Sequence, residues 1–251
     1  MTIKEETEEK KIESTTLEVQ KDATESEKMI AAGVHFGHKT NKKHPKMDPY
    51  IYGVRNGVNI IDLEKTEKKL VEAMDYLEQL ISKGGTLLVV GTKVQLVNLS
   101  KEFASECEFP YILERWLGGI ITNFNVIKKR VDHLKDLENK KAEGELDKYT
   151  KKERLEIDRE IESLKKKFEG LKPLSKLPDA IFVLDMEKDM MAIKEAKKEG
   201  VVVVGIADTN ANPEIADYPI PANDDAISSV SYILNRIKER LVACKKSKQS
   251  E

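Results

Sequence analysis

The chain has 251 residues, 39% of them hydrophobic, which supports one core of ordinary size plus appendages rather than two full domains. Charged residues reach 35% and aromatics only 6%, so much of the chain must be solvated or charge-contacting surface. Cys107 and Cys244 stand far apart outside any CxxC pattern, no run approaches the roughly 18 apolar residues of a membrane span, and no apolar signal-peptide core opens the chain. A disulfide scaffold, a zinc ribbon and a membrane protein are therefore set aside, and a soluble cytoplasmic protein is expected.

The net charge of -2 conceals an asymmetry. Residues 1–28 carry five lysines against nine acids, which leaves 38 basic and 36 acidic residues for the remainder. That first stretch has few apolar residues and no sustained period, so it is read as a disordered acidic tail unable to offset its ordering entropy. From Met29 to Met47 the sign reverses. Lys39, Lys42, Lys43 and Lys46 lie among His35, His38 and His44 with no acid before Asp48, a patch suited to phosphates.

Ile51–Arg55 and Val58–Ile61 flank Asn56-Gly57, the signal of a two-stranded hairpin. Leu70, Met74, Leu77 and Ile81 then recur at helical spacing before Gly84-Gly85, which predicts an amphipathic helix over 63–83. The apolar run from Thr86 to Val90 predicts a strand, followed by a helix with Leu96, Leu99 and Phe103 on one face. A matching step runs from Ile181–Leu184 through a helix around 190–199 into a strand at 201–206. A last helix carries Ile227, Val230, Leu234, Ile237 and Leu241. Strands apolar on both sides suit a parallel sheet. The predicted class is a doubly wound α/β fold, its sheet mainly parallel with helices on both faces.

Between the halves, strand signals vanish and charges crowd. Ile127, Val131 and Leu134 give a 4-3 spacing, and Ile157, Ile161, Leu164 and Phe168 give 4-3-4, the seam of an inserted antiparallel coiled-coil hairpin. Thr150 with Glu153 resembles a capping box opening its second arm. The expected organisation is a tail at 1–28, a discontinuous α/β domain at 29–122 and 170–243, the insert at 123–169 and a basic C-terminal tail at 244–251.

Gly91-Thr92-Lys93 follows a strand and opens a helix, where an anion is favoured, yet it matches neither GxxxxGK[ST] nor GxGxxG. Lys93 is read as a phosphate contact rather than part of a nucleotide site. Asp185 and Asp208 end strands, and Asp208 or Asp225 with His35 or His38 could hold a metal, although Asp and Asn at such positions are ordinary turn formers and caps. No metal or cofactor follows. No GxSxG, HExxH or Cys-His set appears. Trp116 reads as packing at the base of the hairpin.

Several ordered stretches together resemble one family. They include Ala32-Gly33-Val34-His35-Phe36-Gly37-His38, Pro45-Lys46-Met47, Arg55-Asn56-Gly57, Arg115-Trp116-Leu117-Gly118-Gly119, Leu177-Pro178-Asp179-Ala180, Asp208-Thr209-Asn210, and Pro219-Ile220-Pro221 through Ala226. The chain is similar over about 29–241 to the bacterial-type small-subunit ribosomal protein conventionally numbered two. That resemblance implies a non-enzymatic structural constituent of the small ribosomal subunit. Its implied partners are small-subunit (16S-type) ribosomal RNA and neighbouring ribosomal proteins, including the large multi-domain protein one, with no membrane and no small-molecule substrate. The residues expected on RNA are Lys39, Lys42, Lys43, His44, Lys46, Arg55, Lys93 and Arg115. A phosphosugar- or nucleotide-binding enzyme using the strand ends is the competing reading, and an RNA-free coiled-coil adaptor is a third.

Overall fold

The structure, a computed structural model, describes residues 24–248. The first helix, α1 (Glu25–Ala31), opens where Thr24 and Glu27 cap each other reciprocally, and it buries Met29. The expected tail therefore falls outside the described residues up to position 23, whereas 25–28 are helical. The Thr-x-x-Glu signal that fixes this start is visible in the sequence.

A three-stranded antiparallel sheet follows, in the order β1 (Phe36–Lys39), β3 (Val58–Ile61), β2 (Ile51–Arg55). Asn56 and Gly57 take φ of 52° and 75°, the left-handed pair that a two-residue hairpin turn needs. The expected hairpin thus gains β1 as a third strand.

The main sheet holds β4 (Leu87–Val90), β5 (Tyr111–Ile112), β6 (Ala180–Val183), β7 (Val202–Ala207) and β8 (Tyr218–Pro221), all parallel in the order β5-β4-β6-β7-β8. Side chains alternate between faces. Leu87, Val89, Phe182, Val204 and Ile206 pack against α1, α2 (Leu63–Ser82), α3 (Val97–Glu106) and the last helix, α7 (Ile227–Lys248). Leu88, Val90, Ile181, Val183 and Val203 face the other way, against α6 (Met190–Lys198) and residues of the intervening helices. Both faces are covered, which is why the strands read as unbroken apolar runs. β8 bonds only to β7, so Pro219 and Pro221 are tolerated on an edge strand.

Between β5 and β6 the chain forms α4 (Phe124–Ala142) and α5 (Lys151–Phe168), the latter opened by the reciprocal Thr150–Glu153 cap. Ile127, Val131, Leu134, Ile161 and Phe168 are buried in the same cluster as Leu88 and Val90. Ion pairs Lys141–Asp158 at 2.5 Å and Lys165–Glu138 at 3.1 Å join the two helices. The chain returns through Gly170, where a Cβ would collide with the Tyr111 carbonyl. At the other end, α7 runs to Lys248, so the backbone at 244–248 is helical where a tail was expected.

Candidate nucleic-acid interface

The lysine loop is anchored on its inner side and open on its outer side. His38 N donates to Thr209 Oγ1 and His44 N to the Thr209 carbonyl, both at 2.8 Å, while Asn59 Nδ2 donates to the His38 carbonyl at 3.0 Å. Gly37 is required because a Cβ there would run into the Thr209 side chain. Met47 is fully buried beneath the loop. His44 itself spends Nδ1 accepting from Lys46 N at 3.2 Å, and Pro45 continues the turn.

Lys39, Lys42, Lys43 and Lys46 all lie exposed on this fixed backbone. Lys43 pairs with Asp48 at 2.6 Å and Lys46 with Glu214 at 2.9 Å, while Lys39 and Lys42 make no ion pair among the described residues. Exposed pairs of this kind are worth little, so they hold these two lysines only weakly. Arg55, exposed at the hairpin tip, borders the same loop, because Thr40 N donates to the Gly57 carbonyl at 3.0 Å.

Lys93 is placed differently from its expectation as a phosphate contact. Its Nζ lies 2.8 Å from Asp224, 2.8 Å from Asp225 and 3.2 Å from Asp185, and the side chain is only 14% exposed. Burial works against its charge, but hydrogen bonds to Asp224 and Asp225 prevail and hold the ammonium well above the usual lysine range. Burial, with Asp185 and Asp208 nearby, pushes Asp224 up to about 7. Three carboxylates around this one cation deprive the site of the net positive charge that draws a phosphate.

The strand-end residues Asp185, Asp208 and Asn223 also close local turns. Asp185 accepts from Lys188 N at 2.8 Å, Asp208 from Thr209 N, and Asn223 Oδ1 from Asp225 N at 2.9 Å before α7. His38 joins them, with Nδ1 3.0 Å from Asp208 and Nε2 3.3 Å from Asp225. Its hydrogen bond to Asp208 raises its pKa above the usual histidine value, against burial. One imidazole and two carboxylates whose ligand atoms lie within 4.8 Å could hold a divalent cation, although Lys93 already engages Asp225. His35 stays apart from this group, its ring 4.0 Å from that of Phe36.

Arg115 is exposed on a loop that a buried carboxylate organises. Glu195 accepts from Trp116 Nε1 at 3.2 Å, Gly119 N at 2.8 Å, Ile121 N at 3.2 Å, Thr122 N at 3.3 Å and Thr122 Oγ1 at 3.1 Å. Burial pushes this carboxyl up, yet the donors, Gly119 first, outweigh it and hold the pKa below the usual value. Trp116 thus has the packing role expected of it. Glu195 is absent from the expected residues, since one Glu on an amphipathic helix gives no signal of the donors awaiting it.

The family model described as Ribosomal protein S2 matches residues 29–243. The chain belongs to the ribosomal protein S2 family. "Small ribosomal subunit protein uS2c" of Rhodomonas salina is 46% identical over 213 residues, covering 85% of this chain and 88% of that protein. "Small ribosomal subunit protein uS2" of Dictyoglomus thermophilum is 43% identical over 223 residues, covering 89% and 91%. The S2 match begins at Met29, buried in α1, and ends within α7, so it takes in both sheets, the lysine loop and the α4–α5 pair.

Proposed function

We propose that this S2-family chain is a structural constituent of the small ribosomal subunit, binding small-subunit ribosomal RNA and neighbouring ribosomal proteins of a cytoplasmic, bacterial-type ribosome. The observation that carries the reading is the naming of two relatives, matched over most of their length, as small ribosomal subunit proteins. The lysine loop supplies the physical means. Its cations sit on a backbone tied to Thr209, so little backbone ordering entropy opposes phosphate contact. Lys39, Lys42, Lys43, His44, Lys46 and Arg55 form this face, with Arg115 on a separate loop.

The α4–α5 pair acts in this reading as an inserted coiled-coil hairpin reaching toward RNA or a neighbouring protein, the large multi-domain protein one among them. Its apolar stripes are spent on each other and on the sheet, leaving a charged exterior for a polar partner. The competing enzyme reading would need the strand-end edge, where three carboxylates engage Lys93 in place of a substrate. No helix among the described residues is long and apolar enough to cross a membrane. The test is sedimentation of the tagged full chain with small subunits through a moderate salt wash. Recovery in the subunit fraction is expected, and recovery only in the soluble fraction would reject the proposal.

A further inference from the structure

A second concentration of positive charge lies away from the lysine loop. Two depressions of about 900 and 230 Å3 share Val97, Asn98, Leu113 and Glu114 in their walls, forming one trench across the C-terminal ends of β4 and β5. The walls carry six cations, Lys101, Arg115, Lys165, Lys166, Lys167 and Lys188, against three acids, Glu114, Glu169 and Asp189.

Asp189 is turned inward onto Thr92, whose Oγ1 donates to it at 2.8 Å, and burial pushes its carboxyl up to about 6. Two of the cations are engaged, Lys165 with Glu138 at 3.1 Å and Lys188 with the Thr92 carbonyl at 2.9 Å. Lys101, Arg115, Lys166 and Lys167 are exposed and make no ion pair among the described residues. The same trench carries apolar surface on Val94, 83% exposed, and Met191, 56% exposed.

Unpaired cations along a channel, with apolar side chains beside them, match the chemistry of an unpaired nucleic-acid strand, whose phosphates need positive charge and whose sugar and base faces need apolar contact. We propose that this trench is a second RNA-contact surface, taking a single-stranded stretch of small-subunit ribosomal RNA. The inference rests on the RNA-binding reading above. The four free cations come from three separate segments, brought together only because α3, the loop after β5 and the end of α5 meet at one edge of the sheet.

The test uses the full chain and a transcript of small-subunit ribosomal RNA, with affinity measured at several salt concentrations. Three proteins are compared: the parent, a trench variant carrying Lys101→Gln, Arg115→Gln, Lys166→Gln and Lys167→Gln, and a loop variant carrying Lys39→Gln and Lys42→Gln. The trench variant is expected to lose about 3 from the log-log salt slope, at roughly 0.7 per single-strand phosphate. If it keeps the parent's slope while the loop variant loses its own share, the trench proposal is overturned and the RNA-binding reading stands. If the parent shows no salt-dependent binding, both fail. Crosslinking of the parent to 4-thiouridine-substituted transcript guards against a misfolded variant. Crosslinked peptides containing Lys101, Arg115 or Lys166 are expected, and crosslinks confined to other surfaces would overturn the proposal.

Discussion

Glu195 Oε1 accepts a hydrogen bond from the indole Nε1 of Trp116 at 3.2 Å, and this bond ties α6 to the loop that leads into α4. Glu195→Gln would turn an amide NH2 toward backbone donors that now meet a carboxylate. Leaving one buried and at least one part-buried donor unpaired should cost on the order of 2–4 kcal/mol. Trp116 is the only tryptophan, so its emission reports the same site. Denaturant titration should show the loss with a red-shifted folded-state spectrum. Parent-like stability and emission would show that the donors around Glu195 find other acceptors.

Asp189 gives a pH dependence with a definite sign. Its folded pKa is raised to about 6 from 3.8, mainly by burial, so the folded state binds the proton more tightly than the unfolded state. Its contribution is fully present below about 4 and is lost as pH rises through about 6. Asp189→Asn keeps an acceptor for Thr92 Oγ1 and cannot ionise. The variant should therefore gain on the parent by up to about 3 kcal/mol between about pH 4 and pH 7. A stability difference that stays constant across that range would contradict this.

Thr209→Val tests the anchoring of the lysine loop. The substitution keeps the volume but removes the oxygen that accepts from His38 N, leaving that backbone donor without its partner. A loss of about 1–3 kcal/mol is expected. Faster hydrogen exchange at His38 should accompany it. Unchanged exchange at that amide would show that the loop does not depend on Thr209.

The α4–α5 pair should tolerate trimming only beyond its root. Ile127, Val131, Leu134 and Phe168 are buried in the cluster that covers one face of the main sheet, so removing them would open the core. Replacing residues 140–160 with a short Gly-containing bridge spares them. The trimmed chain should melt cooperatively near the parent's temperature yet join small subunits poorly. Normal incorporation would remove the partner-binding role proposed for the distal part.

Much of the fold is legible in the sequence because its signals are local. The unbroken apolar strands announce a parallel sheet, Asn56-Gly57 announces the hairpin, and Thr150 with Glu153 announces the start of α5. β5 escapes such reading because two residues carry no period, and β1 because its partner, β3, lies beyond both the lysine loop and β2. The site is less legible. Lys93 follows a strand and opens toward a helix in sequence, as a phosphate contact would, but its three carboxylate partners come from two distant segments. Exposure of the four loop lysines, by contrast, follows from a run with no apolar alternation to bury them.

The proposed RNA binding rests most directly on the loop from Lys39 to Lys46 and its hold on phosphates. The most direct test replaces Lys39, Lys42, Lys43 and Lys46 with Gln and measures affinity for small-subunit ribosomal RNA across salt concentrations, with circular dichroism to confirm the fold. A folded variant of weaker affinity is predicted, its log-log slope shallower by roughly 0.7 to 0.9 for each phosphate no longer neutralised. A folded variant that keeps the parent's affinity and slope would contradict the proposed role of the loop.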